Sequence, residues 1–176
     1  MNNISFVKVK DEHVKRITEI YNYYVKNTTV TFHYFEHTEE EMKEMLYSKD
    51  SRFNSFTVID DDTGEVIGYC MIKKFRNREA FDRCGEIAVY LDVRYLSRGI
   101  GKLILDFLED EARKQNFHTL LATISSENER SIRLFESKGY FKCAHLKEVG
   151  IKFDRVLDLL YYEKILDNIC CEKDLI

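Results

Sequence analysis

No proline stands anywhere in the 176 residues, and only seven glycines do. Without proline, loops are punctuated by glycine and polar clusters alone, so their edges are loosely marked. No apolar run approaches the roughly 20 residues that cross a bilayer as a helix, which argues against a membrane partner. The opening stretch MNNISFVKVKDEHVKRITEI lacks the basic start, apolar centre and small-residue cleavage site of an export signal, and reads as the first structural element. A cytoplasmic location is the expectation. Net charge is −4, with Lys and Arg interspersed among Asp and Glu. No sustained basic surface for nucleic acid follows from such a pattern, although local phosphate sites remain open. The five cysteines are odd in number and form no C-x-x-C, which suits reduced thiols and disfavours a metal site. Cys170 and Cys171 read as reduced residues in a terminal segment. Neither G-x-G-x-x-G nor G-x-x-x-x-G-K-[ST] occurs, so dinucleotide and P-loop readings lack their motifs.

What is present is an ordinary water-soluble composition, 44% hydrophobic and 33% charged. A chain of this length fits one domain, residues 1–176 with 168–176 as a terminal tail, and buries roughly 70% of its unfolded surface. After a β-like ISFVKV, residues 11–26 place Val14, Ile17, Tyr21 and Tyr24 at helical spacing. TVTFHY (29–34) reads as an extended loop or short strand, and Thr38 with Glu41 has capping-box spacing before another helix. SFTVI and VIGYCMIKKF flank DDDTG as a hairpin, followed by a strand CGEIAVYLDV. Residues 101–114 repeat apolar pairs at helical spacing, and HTLLATI reads as a buried strand. A last helix spans about 128–138 with Gly139 as its left-handed stop, before strands YFKCAHLKEV and RVLDLLYYEKI. The order β-α-α-β-β-β-α-β-α-β-β implies an α+β fold with an antiparallel start and a later strand–helix–strand crossover.

Two of the scarce glycines, Gly99 and Gly101, sit together at a helix start in YLSRGIGKLIL. The first amides of a helix lack intrahelical partners, and the aligned peptide dipoles leave about half a positive charge there. Glycine lets an anion approach that backbone closely, and Arg98 and Lys102 add charge beside it. SRGIGK thus reads as a pyrophosphate cradle or as a flexible strand-to-helix turn.

Further segments bear on this choice. SENERSIRLFESKGYF joins Asn128, Ser131, Leu134-Phe135 and Gly139-Tyr140 at the spacing N-x-x-[SA]-x-x-L-[aromatic]-x-x-x-G-[FY]. With LSRGIG, which has Leu96 where R/Q-x-x-G-x-G/A usually begins, it resembles the GNAT superfamily of N-acetyltransferases. YNYYVKNTTVTF, RNREAFDRCGEIAVY and VGIKFDRVLD are similar, in the same order, to the phosphinothricin acetyltransferase-like branch, and the likeness covers roughly residues 4–166. It implies an α/β sandwich with a central, mixed, mostly antiparallel twisted sheet flanked by about four helices. It also implies acetyl-CoA as cosubstrate, no metal, a small-molecule amine as partner, and a homodimer.

Residue by residue, the resemblance assigns amine deprotonation to Glu86, directly or through water. An α-amino group of pKa about 7.7–8.0 is mostly protonated at pH 7, and only its neutral form attacks a thioester. A free Glu is a weak base for this, so Glu86 is expected to be partly buried with its pKa raised. Read alone, it is a strand carboxylate paired with a surface cation such as Arg83. The main chain at Val89, Tyr90 and Leu91 is expected to pair with pantetheine amides where the strand splays, the alternative being an uninterrupted ladder. The cofactor contacts further comprise Arg98, Gly99, Ile100, Gly101, Lys102, Asn128, Ser131 and Phe135. Asn128 reads equally as a helix cap, and Phe135 as a core or cofactor-wall residue, with no acidic proton where related enzymes carry a Tyr. Arg76 and Arg78 are expected to grip an acidic acceptor through guanidinium forks, or else to be merely solvated. Phe32 is an acceptor-pocket wall or a core aromatic; Lys152 and Asp158 read as structural or interface residues.

The leading expectation is an acetyl-CoA-dependent N-acetyltransferase for a small amino-acid-like amine. Its rivals acetylate a protein N-terminus, a polyamine or an aminoglycoside, or bind acyl-CoA as a non-catalytic sensor. Polycationic acceptors call for an acidic groove, against which Arg76 and Arg78 argue.

Overall fold

The computed structural model describes residues 3–166, so the expected tail at 168–176 and the Cys170–Cys171 pair lie outside the described residues. Strand β1 (Ile4–Lys8) leads into helices α1 (Asp11–Asn27) and α2 (Glu39–Leu46). Strands β2 (Ser55–Asp60), β3 (Glu65–Lys74) and β4 (Cys84–Leu91) follow, then α3 (Ile100–Lys114), β5 (Thr119–Ser125) and α4 (Glu129–Ser137). A hairpin of β6 (Phe141–Lys152) and β7 (Arg155–Ile165) completes the expected α+β order. The segment 29–34 is loop, one of the two forms its sequence allowed.

All strands join one seven-stranded sheet in the order β1-β2-β3-β4-β5-β7-β6. Every pairing is antiparallel except β4 with β5. The alternation of side chains along β3 explains how both faces are covered. Tyr69 and Met71 pack beneath Val14, Ile17, Tyr21 and Val25 of α1 and Met42 and Leu46 of α2. Cys70 and Ile72 face the other way, toward Ile104, Leu105, Leu108 and Ala112 of α3. Ile104, Leu105 and Leu108 are wholly buried, and each contributes roughly 1.5–3 kcal/mol relative to exposure. Thr38 caps α2 as its sequence indicates: its hydroxyl accepts from the Glu41 amide, and the Glu41 carboxylate accepts from the Thr38 amide.

One feature of the sheet creates the site. β4 and β5 pair only from Cys84 opposite Thr119 to Glu86 opposite Leu121. Beyond that point β4 continues against β3 as far as Leu91, while β5 continues against β7 as far as Ser125. The two central strands therefore diverge, and a cleft opens between them.

Candidate active site

Two adjoining cavities, of about 410 and 380 Å³, occupy the cleft and share Val30, Val89, Tyr90, Asn128, Ser131 and Phe135. The floor of the first is set by strand register. Tyr69 lies opposite Tyr90, Met71 opposite Ala88 and Lys73 opposite Glu86, all lining the same space. That floor grades from stacked aromatics, Tyr69 on Tyr90 at 5.2 Å, to a charged pair at the mouth.

Glu86 stands where β4 and β5 part. Its side chain is 18% exposed, and one oxygen, Oε1, accepts from Thr123 Oγ1 at 2.7 Å and lies 3.2 Å from Lys73 Nζ. Among the described residues it is the single carboxylate lining this cavity. Burial is thus partial, as expected. The paired cation is Lys73 rather than Arg83, whose guanidinium donates to the Asn116 carbonyl and side chain.

The second cavity runs to the start of α3 and is lined by Ser97, Gly99, Gly101 and Lys102. The two glycines are there for different reasons. Gly99 adopts φ +83°, a left-handed conformation costly for other residues, although a Cβ there meets nothing within 4 Å. At Gly101 a Cβ would fall 2.8 Å from Leu134 Cδ2, so this glycine lets α3 pack closely against α4. Among the described residues, no protein acceptor takes the amides of Gly99, Ile100 or Gly101, as at any open helix start. The Ile100 side chain itself is buried in the core. Lys102 is exposed at the rim, whereas the Arg98 guanidinium lies 4.8 Å from the Tyr95 ring and outside the cavity lining. These groups fit a diphosphate: unengaged amides at the positive end of a helix dipole, a cation at the rim and no side chain blocking the approach at Gly99.

The path into this loop is fixed by Asp92. Its carboxylate accepts from the Arg94 amide at 2.9 Å and from the Arg94 guanidinium, and also pairs with Arg16. Those bonds, Arg94 first, hold the buried acid at a pKa of about 2.

Asn128 accepts from the Ser131 amide at 3.2 Å and donates to the Ser131 hydroxyl at 2.8 Å, so it caps α4 while lining both cavities. Phe135 is 4% exposed, packs edge-on against Tyr140, and walls both cavities. Val89 and Tyr90 line both cavities and Leu91 the second. The Leu91 carbonyl is already engaged: the Tyr24 hydroxyl donates to it at 2.5 Å. A carbonyl oxygen has a second lone pair, so this bond leaves room for the expected pantetheine contact.

Phe32 lines the first cavity and owes its place to the distant segment VGIK. A Cβ on Gly150 would lie 2.6 Å from Phe32 Cε1, so only glycine admits the ring there. Two residues on, Lys152 is 1% exposed and donates to the Thr31 carbonyl at 2.8 Å, and burial pushes its pKa below the usual lysine range. Asp158 accepts from the Glu148 amide and from His145, holding the irregular turn of β6 between Leu146 and Gly150. The late motif is thus a clamp on the early TVTF segment.

Arg76 and Arg78 are not brought to either cavity. β3 ends at Lys74, and both arginines fall on the exposed connection beyond the cavity mouth, with Arg76 4.8 Å from the Phe75 ring. Lys73 lines the first cavity instead, and Arg130 and Arg133 line the second beside Lys102. No group of three or more His, Cys, Asp or Glu side chains is placed to hold a metal among the described residues, and none of their helices is long and apolar enough to cross a membrane.

Comparison with known proteins agrees with this geometry. The Acetyltransferase (GNAT) family matches residues 14–140. A phosphinothricin N-acetyltransferase of Streptomyces coelicolor is 32% identical over 158 residues, covering 89% of this chain and 92% of the relative. The crystal structure of a ribosomal-protein-alanine N-acetyltransferase from Brucella melitensis superposes with a TM-score of 0.86 at 32% identity, over 92% of this chain and 99% of that one. That of a GNAT superfamily phosphinothricin acetyltransferase from Sinorhizobium meliloti in complex with acetyl-CoA gives 0.88 at 28% identity, over 94% and 89%. The chain with the splayed central strands belongs to the GNAT family of acetyl-CoA-dependent N-acetyltransferases.

Proposed function

We propose that this N-acetyltransferase acts on the α-amine of a small amino-acid-like acceptor, with Glu86 as the base, directly or through one water. The observation that carries the reading is the position of Glu86, a partly buried carboxylate at the point of divergence of β4 and β5, lining the first cavity near its mouth. The phosphinothricin-acetylating relative supports an amino-acid-like acceptor.

Acetyl-CoA supplies the acyl group: the amide C–N bond forms as the thioester C–S bond breaks and the thiolate leaves. The amides of Gly99, Ile100 and Gly101 and the Lys102 ammonium hold the diphosphate end, and the main chain at Val89 and Tyr90 orients the pantetheine arm. Asn128, Ser131 and Phe135 wall the junction of the two cavities, and Phe32 closes the acceptor side. Glu86 receives the proton that the attacking amine must shed. Thr123 fixes the carboxylate's orientation through Oε1. Phe135 has no proton to give the thiolate, and the Tyr24 hydroxyl is committed to Leu91 with its pKa pushed up to about 12 by burial. The thiolate therefore leaves without a proton from these side chains, which a thiol pKa near 8.5 permits.

We also assign the enzyme to the cytoplasm and to a homodimer. Apolar side chains exposed along edge strand β6, among them Leu146, Val149 and Ile151, support a second copy as cover. The test of the activity is thiol release from acetyl-CoA over a panel of methionine sulfone, a glutamate analogue, lysine, spermidine and an alanyl peptide. Turnover confined to the small amino acids supports the reading; preference for spermidine or for the peptide overturns it.

A further inference from the structure

We infer that Lys73 determines acceptor specificity by binding the acceptor's α-carboxylate, so that Lys73 and Glu86 together select the zwitterion of a free α-amino acid. This rests on the reading of the site given under Proposed function and deepens it.

Among the described residues, Lys73 is the only lysine or arginine lining the first cavity, as Glu86 is its only carboxylate. The two stand directly opposite on neighbouring strands, 3.2 Å apart, with Lys73 51% exposed at the mouth. An ion pair so exposed contributes little to stability. Each partner can therefore exchange the other for a charged group of an incoming acceptor, and a zwitterion offers both. Its ammonium and carboxylate are separated by one carbon, which places N and O roughly 3 Å apart by covalent geometry. The spacing matches that of the resting pair, so the acceptor's carboxylate takes Lys73 while its ammonium takes Glu86, and charge remains balanced throughout. The rest of the acceptor then follows the floor past Met71 and Ala88 toward Tyr69 and Tyr90. A peptide N-terminus cannot make this exchange, because its neighbouring carbonyl is a neutral amide. A polyamine brings only positive charge to Lys73.

The experiment compares kcat/KM for L-methionine sulfone and for its α-carboxamide in the parent, Lys73→Met and Lys73→Arg, with melting temperatures as a check on folding. The parent is expected to favour the free acid by about 10- to 100-fold, the range of a hydrogen bond to a charged group. In Lys73→Met that ratio falls toward one, chiefly through a higher KM for the acid, and Lys73→Arg restores most of it. A parent ratio near one, or an unchanged ratio in Lys73→Met, overturns the assignment of Lys73 while leaving the acetyltransferase reading standing. If acetyl-CoA stabilises the parent but neither acceptor releases thiol, the acceptor reading itself falls, and this inference with it.

Discussion

Replacing Gly150 with alanine tests whether the late hairpin shapes the acceptor cavity. The glycine has ordinary negative backbone φ, so the substitution brings no intrinsic strain, and its whole effect arises from the new methyl group. That carbon would lie 2.6 and 2.8 Å from Cε1 and Cδ1 of Phe32. Comfortable carbon contacts lie near 3.5–4.0 Å, so ring and strand must separate by roughly 1 Å. On one side of the ring is a strand fixed by the β7 pairing at Leu157 and by the Lys152–Thr31 bond. On the other is the cavity. The ring therefore moves toward the acceptor space. Overpacking of this kind costs about 1–3 kcal/mol, which lowers the melting temperature by roughly 2–4 °C for each kcal/mol in a chain of this size. The assay is steady-state thiol release with acceptor and acetyl-CoA varied in turn. Acceptor KM should rise several-fold, with acetyl-CoA affinity unchanged, and adding Phe32→Leu should recover much of both losses. A Gly150→Ala enzyme with parental stability and parental acceptor KM would refute the reasoning, as would a loss of acetyl-CoA affinity alone.

Other consequences are as direct. Gly99→Glu places a carboxylate at the positive end of α3 on a left-handed residue; acetyl-CoA, which should raise the parent's melting temperature, should fail to raise that of the variant, and an undiminished shift would reject the diphosphate cradle. Asp92 is held at a pKa of about 2, below its unfolded value near 3.9, so its contribution is fully present above that unfolded value and disappears as pH falls through 2. Asp92→Asn should accordingly cost about 1–2 kcal/mol at pH 7, discounting for the exposed Arg94 partner, with the gap closing at acid pH in denaturant titrations. A pH-independent gap would show that the charge is not responsible.

Much of this architecture was legible from periodicity. The spacing of Val14, Ile17, Tyr21 and Tyr24 identified the buried face of α1, and the Thr38–Glu41 capping box marked the start of α2. The end of β6 was harder to place. The hairpin to β7 turns at Phe153 and Asp154, both with positive φ, where glycine or asparagine is the customary signal. Nor does local pattern reveal that β7 inserts between β5 and β6. Arg76 and Arg78 belong to a recognisable motif, yet the cation that lines the first cavity is Lys73, in the neighbouring MIKKF. Strand alternation sends neighbouring side chains to opposite faces. Lys73 meets Glu86 while Lys74 pairs with Asp82, a distinction that exists only once the β3–β4 register is known. The amphipathic Arg130 and Arg133 were likewise hidden, since helix phase alone does not say which face meets a cleft.

Acetyl transfer in the space opened by the parting of β4 and β5 is proposed to depend on proton removal by Glu86. Thiol release by Glu86→Gln, measured at saturating acetyl-CoA beside its acetyl-CoA Kd, tests this most directly. An unchanged Kd and a kcat lowered by about 10²–10⁴-fold, the usual contribution of a general base, are expected. Parental turnover in that variant would contradict this dependence.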